Sequence, residues 1–291
     1  VPNNFLVSNQ ELIMQRIALF NIECYSSSEA IISFIEEHHD KIAIVVTTDR
    51  YSSKHGNLLQ QIITNYRRSG FDFVIYLTYN FIFYFWLIYL SRLASSITGH
   101  KRKHFTISEI CHKYQIHHVK TSNINGKDII AELKQANLDL IVIYFFDQII
   151  KKQIIQIPKK AVINVHAALL PECKGLFPVL YSAFKNDKKF GITIHEIVDT
   201  SIDSGAILAQ EKLEVDNTDY SILTLDKLVN NQGIGLLSSV INNFDYYYLK
   251  RTPQMLGGSY FSFPTKSDIK IVQKQGFSLV NFQDFLSDFF E

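Results

Sequence analysis

Three polar side chains stand in otherwise apolar surroundings: Asn164 and His166 in the run AVINVHAALLP, and Asp203 in IDSGAIL. An amide donates hydrogen bonds to a developing oxyanion, an imidazole takes or gives a proton near neutral pH, and a carboxylate holds the imidazole charged or relays the proton. Together they suit attack on a carbonyl carbon. Stepping two residues along a strand returns to the same face, so a strand ending near residue 166 presents Asn164 and His166 side by side. Asp199, Thr200 and Ser201 are turn residues, and the loop they begin carries Asp203 towards that strand end. On their own, Asn164 and His166 at a strand end also read as ordinary core or capping residues.

NVHAALLP, the following Gly175, GITIHEIVDTSIDSGAIL and Gln210 together resemble the formyltransferases that use 10-formyltetrahydrofolate. The resemblance runs from about residue 139 to 214, with Ala168 in place of the usual Ser. It implies that Asn164, His166 and Asp203 are the catalytic trio, with 10-formyltetrahydrofolate as co-substrate and no metal. It also implies a pterin held between the strand-end residues Phe146, Gln148, Ile149 and Ile150 and the loop at Ile202. The implied acceptor is a primary amine on a small molecule, most readily a nucleotide-linked amino sugar, because the tail is too short and too neutral for a tRNA-binding appendage. A formyltetrahydrofolate hydrolase and a non-catalytic, membrane-associated protein on the same fold are the alternatives.

Around these residues the chain alternates strands and helices. Residues 41–48, 138–145, 161–166 and 191–198 read as strands, and 125–136, 177–185 and 221–248 as helices. That order gives an α/β, Rossmann-like fold, a mostly parallel sheet with helices on both faces, followed by a small C-terminal extension. We expect a catalytic domain over residues 1–215 and a helical, aromatic extension over 216–291. At the N-terminus, residues 4–7 read as a short strand and residues 11–19 as an amphipathic segment; no GxGxxG follows. His195 reads as a structural histidine, and the adjacent His117 and His118 point to opposite sides of any strand.

Residues 71–90, FDFVIYLTYNFIFYFWLIYL, are charge-free from residue 73 onward. They are long enough for a membrane span, but Thr78, Asn80 and several tyrosines favour a helix in a protein interface, with a homo-oligomer as one expectation, or one lying on a membrane surface. The charge of +1 over 291 residues argues against a dedicated nucleic-acid binder. Three distant cysteines, Cys24, Cys111 and Cys173, lack metal or disulfide spacing and fit a reducing, cytoplasmic setting.

Overall fold

A computed structural model describes residues 15–48, 57–185, 189–215, 220–255, 257–281 and 283–284. In chain order the elements are β1 (Ile17–Asn21), α1 (Tyr25–His38), β2 (Ile42–Thr48), α2 (Leu58–Ser69) and α3 (Phe71–Thr78). A π-helical turn (Tyr79–Phe83) leads directly into α4 (Tyr84–Thr98). There follow α5 (Ile107–Lys113), β3 (His117–Thr121), α6 (Lys127–Gln135), β4 (Leu140–Tyr144), α7 (Lys152–Ile155) and β5 (Ala161–His166). Next come β6 (Lys174–Gly175), α8 (Pro178–Phe184), β7 (Phe190–Glu196) and β8 (Ile207–Leu213). The last elements are α9 (Ile222–Asn242), α10 (Phe244–Leu249), β9 (Tyr260–Phe261) and α11 (Lys266–Lys274).

Among the described residues, seven strands form one sheet in the order β3-β2-β1-β4-β5-β7-β8. β3, β2, β1, β4 and β5 run parallel, and β7 and β8 are antiparallel to their neighbours. Side-chain alternation splits the interior in two. Leu19, Val142, Ile163 and Ile194 belong to a large core with α1, α5, α8 and α9. Phe20, Ile143 and Val162 face a smaller core closed by α6 and α7. The helices on the smaller side lie over the β1, β2 and β4 half of the sheet, so the same face of β5, β7 and β8 is left to loops. The polar residues collect there.

The strand expected at residues 4–7 lies outside the described residues. β1, by contrast, corrects the amphipathic reading of residues 11–19. Every residue from Ile17 to Asn21 is buried, because a central parallel strand is covered on both faces and its sequence carries no polar alternation. α9 lies beyond residue 215, yet Leu225, Val229 and Leu237 are fully buried in the large core with α1. The tail is therefore continuous with that core.

The apolar stretch is half in and half out. Phe73, Tyr76, Tyr79, Tyr84, Leu87 and Ile88 are buried. Tyr76 donates to the Asp226 carboxylate, Tyr79 to the Asp284 carbonyl at 2.9 Å, and Tyr84 to the Phe105 carbonyl at 3.0 Å. The π turn inserts one extra residue into the helix, the single-turn form in which this rare geometry mostly occurs. It includes Asn80, whose side-chain oxygen accepts from the Ser26 N–H at 2.9 Å, a donor of the first turn of α1 that no intrahelical carbonyl can reach.

Candidate active site

Register assembles the site. Asn164 and His166 share the face of Val162, and antiparallel pairing sets His195 opposite Asn164 and Thr193 opposite His166. Gln210 of β8 lies opposite Thr193. Directly opposed residues project to the same side of a sheet, so three strands contribute one polar stripe. Its outer part is structural. Thr193 donates to the Ala168 carbonyl at 2.6 Å and accepts from the Leu170 N–H at 3.1 Å, while Gln210 donates to Thr193 and to the Leu170 carbonyl. These bonds fix the chain leaving β5, which includes the cis Leu170-Pro171 peptide.

The inner part holds Asn164, His166, His195 and Asp203. Asp203 arrives on the β7–β8 loop with φ of 47°, an uncommon conformation for a residue with a side chain. The loop presses onto the end of β7 so closely that a Cβ on Gly205 would sit 1.8 Å from the Glu196 carbonyl oxygen. Only glycine fits. The Asp203 carboxylate accepts from the Gly175 N–H at 2.8 Å and from the Asn164 amide at 3.3 Å. It lies 3.6 Å from His166 Nδ1 and 3.4 Å from His195 Nε2. Burial opposes its ionisation, but the two imidazoles and the Gly175 N–H outweigh it, holding the carboxyl well below the usual carboxylate range.

Hydrogen bonding fixes both imidazole tautomers. A carbonyl oxygen can only accept. His166 Nε2 therefore carries the hydrogen that meets the Cys173 carbonyl at 2.9 Å. In the neutral ring this leaves the Nδ1 lone pair facing Asp203. His195 Nδ1 likewise donates to the Glu196 carbonyl at 3.1 Å, so its neutral Nε2 accepts from the Asn164 amide at 3.0 Å. Burial pushes His166 below its ordinary pKa, against the pull of Asp203. A proton reaching Nδ1 thus enters a ring that is neutral at rest and gains an ion pair.

Asn164 uses both amide hydrogens here, on His195 and Asp203. A bound carbonyl oxygen can take one of them only by displacing an acceptor. His195, read from the sequence as structural, is 1% exposed and lies in contact with two of the trio. Its place in GITIHE on a strand of unknown partner gave no hint of the pairing with Asn164.

Gln254 was also missed. Its amide donates to the Asp203 carbonyl at 3.0 Å and to the Gly205 carbonyl at 2.8 Å. Nearby, Thr252 and Ile207 exchange backbone hydrogen bonds, and Arg251 and Tyr248 bind the Glu196 carboxylate at 3.0 and 2.8 Å. β9 pairs with β6, and a Cβ on Gly175, whose φ is 96°, would strike the Phe261 carbonyl at 2.1 Å. A strap from α10 to β9 thereby fastens both the Asp203 loop and the Gly175 loop that hydrogen-bonds its carboxylate.

The other expected residues follow β4, whose parallel pairing with β5 brings its carboxyl end to the sheet edge of His166. Phe146 packs on Phe20 with ring centroids 5.5 Å apart, and Ile150 is buried in the smaller core. Gln148 accepts from the Ile124 N–H at 2.8 Å. Ile149 (60% exposed) and Ile202 (39%) present apolar surface, and the Ile149 carbonyl accepts from Asn125. Among the described residues no group of three or more His, Cys, Asp or Glu is placed to hold a metal ion.

A family model described as formyl transferase matches residues 94–241, just over half of the chain. This chain belongs to the formyl transferase family. The match begins within α4, so β1 and β2 lie ahead of the matched residues.

Methionyl-tRNA formyltransferase from Finegoldia magna is 34% identical over 136 residues, 47% of this chain and 43% of that protein. The protein of the same description from Caldicellulosiruptor saccharolyticus is 35% identical over 138 residues, 47% and 44% of the two chains. The chain therefore spans less than half the length of these curated relatives. Among solved structures, an N-formyltransferase from Helicobacter canadensis in complex with folinic acid and dTDP-3-aminofucose superposes with a TM-score of 0.56 at 17% identity, covering 94% of this chain and 82% of that one. A 4-N formyltransferase from Francisella tularensis gives 0.51 at 19% identity, covering 88% and 78%. At these identities the likeness is one of fold.

Proposed function

We propose that this formyl transferase family member moves a formyl group from 10-formyltetrahydrofolate to a primary amine of a small molecule, a nucleotide-linked amino sugar above all. The observation that carries the reading is the contact of one carboxylate, Asp203, with both a donor, Asn164 at 3.3 Å, and a proton acceptor, His166 at 3.6 Å. In this reaction the amine nitrogen attacks the formyl carbon and the carbonyl oxygen takes the negative charge. Asn164 turns one amide hydrogen from its present acceptor to that oxygen; a fixed donor of this kind is worth about 3–4 kcal/mol. His166 Nδ1 takes the proton released by the amine, and Asp203 stabilises the imidazolium. The carbon–N10 bond then breaks as the folate nitrogen takes that proton back from His166, leaving the formamide, tetrahydrofolate and a neutral imidazole. The pterin rests between the loop after β4, with Ile149 as its exposed apolar wall, and the loop at Ile202.

The amino-sugar acceptor is supported by the fold neighbours, which include enzymes solved with dTDP or a dTDP-sugar. Methionyl-tRNA is the second reading, favoured by the curated sequence relatives. The test is conversion of 10-formyltetrahydrofolate to tetrahydrofolate by the full chain, followed by absorbance with nucleotide-linked 3-amino or 4-amino sugars, with charged methionyl-tRNA, and with no acceptor. Turnover that requires an amino sugar is expected. Turnover only with the tRNA selects the second reading, formate release without acceptor makes the chain a hydrolase, and the absence of turnover in all arms overturns formyl transfer.

A further inference from the structure

One face of α3, the π turn and α4 is built into the protein, and the other is not. Phe71, Phe85, Trp86, Tyr89, Leu93 and Ile97 are exposed, with Trp86 at 58% and Ile97 at 75%. They recur at helical spacing along one side of a 28-residue helix. α2 packs alongside and adds Leu59, Ile63 and Tyr66, also exposed. The helix is long and apolar enough to cross a bilayer, but its other face is committed. Spanning would tear Tyr76 from Asp226, Asn80 from Ser26 and Tyr84 from Phe105.

Charge decides what covers the open face. Residues 57–104 contain six Lys or Arg and a single acidic residue, Asp72, whereas the whole chain carries 29 and 28. The cations stand at both ends of the apolar strip. Arg67 and Arg68 precede it, Arg68 stacked on the Phe263 ring; beyond it Arg92 and Arg102 are both paired with Glu109, so the charge at that end rests on the exposed Lys101 and Lys103. The chain after α4 folds back on that helix, with the Ser95 hydroxyl donating to the His100 carbonyl at 2.8 Å and Ser91 accepting from the Lys103 N–H at 3.1 Å. This sets the exposed Lys101 and Lys103 beside the last turns of α4. A second copy docked on the same face meets like charge at both ends, whether the helices run parallel or antiparallel. An anionic surface meets opposite charge at the exposed Arg67 on one end and at Lys101 and Lys103 on the other. Trp and Tyr on the apolar side and basic residues at the margin are what a helix lying in a headgroup layer requires.

We propose that α2, α3 and α4 form an in-plane docking face for a bilayer bearing anionic lipid headgroups, with Trp86, Tyr89, Leu93 and Ile97 entering the headgroup boundary and Lys101 and Lys103 pairing with the lipid charge. The proposal stands apart from the acceptor question, since none of these residues touches the Asn164, His166 and Asp203 cluster.

Trp86 is the only tryptophan in the chain, so its emission reports directly on the face. The experiment titrates the full chain with phosphatidylcholine vesicles containing about 30% phosphatidylserine and with pure phosphatidylcholine vesicles, at low and high salt, and follows Trp86 fluorescence and co-sedimentation. A blue shift confined to the anionic vesicles and reversed by salt is expected. Each basic residue near such a surface is worth roughly fivefold in partitioning, so Lys101→Ala with Lys103→Ala weakens binding about 25-fold. Leu93→Ser with Ile97→Ser abolishes the shift. Far-UV circular dichroism and thermal melting confirm that both variants fold, as exposed positions allow. An unmoved Trp86 spectrum overturns the proposal. So does an equal shift with neutral vesicles, or a dimer in sedimentation equilibrium that Leu93→Ser with Ile97→Ser dissociates, which gives the face to a second copy.

Discussion

Asp203 is held by three opposing partners in a site that burial alone would make hostile to its charge. Asp203→Asn keeps the shape but removes the counter-charge that stabilises a protonated His166. We expect kcat to fall by about 10²–10⁴-fold, the range for lost proton-transfer assistance, and His166→Ala to fall as far, in the folate turnover assay. The double variant is expected to lose little more than either single one, because the two act as a unit. The pH profile follows from the directions of the shifts. His166 is held below 6.5 by burial and acts as acceptor in its neutral form. Activity should therefore be full at neutral pH and fall with a single acid limb below the ordinary histidine range, with Asp203 still ionised throughout that limb. Asp226 behaves in the opposite sense. Burial pushes its pKa up to about 7 from 3.8, despite the Tyr76 hydroxyl it accepts from. Between those values the folded chain keeps a proton that the unfolded chain releases, so stability falls as pH rises through this window. Asp226→Asn, which can still accept from Tyr76, should remove the slope and stabilise the protein at pH 8 by a few kcal/mol, read as melting temperature against pH. That Asn164, His166 and Asp203 come together was legible because they lie in two short motifs whose residue types conflict with their apolar setting. His195 was not, since pairing partners of an antiparallel strand are set by register, and Gln254 was not, since it reaches Asp203 from 51 positions further on.

Strap and loop form one mechanical unit at the level of elements. Gln254→Ala removes two hydrogen bonds to the backbone around Asp203 without touching the reacting groups. It should lower kcat about tenfold with little change in melting temperature and leave folate binding intact, measured by separate kcat and Kd determinations. Loss of folding instead would mean that the strap holds the fold rather than the site. The buried parallel strands β2, β4 and β5 were readable because they are short, continuous apolar runs bounded by turn residues. β1 was not: its flanks are polar, and five residues are too few to separate a buried strand from the edge of an amphipathic helix. The stretch from 71 to 90 was readable as a long apolar segment, which the structure carries on as helix to residue 98. Its π turn was not, because that turn answers to a tertiary partner, the N-terminus of α1.

A chain of 291 residues can fold as one core or two, and sequence composition does not shift visibly at residue 215. The large core nevertheless runs through that point, joining Phe34 and Leu140 to Leu225, Leu237 and Val272. A fragment ending at 215 should therefore lack cooperative thermal unfolding and bind a hydrophobic dye. In the full chain, Leu237→Ala should cost about 2–5 kcal/mol, read by denaturant titration. The pairing of β6 with β9 has a consequence for synthesis. Asn164, His166 and Asp203 leave the ribosome well before Gln254 and Phe261, so the nascent chain carries the three proposed reacting groups while the parts that set their distances are still being made. Under the proposed function, full turnover therefore waits until the strap has been made and holds the Asp203 and Gly175 loops in place.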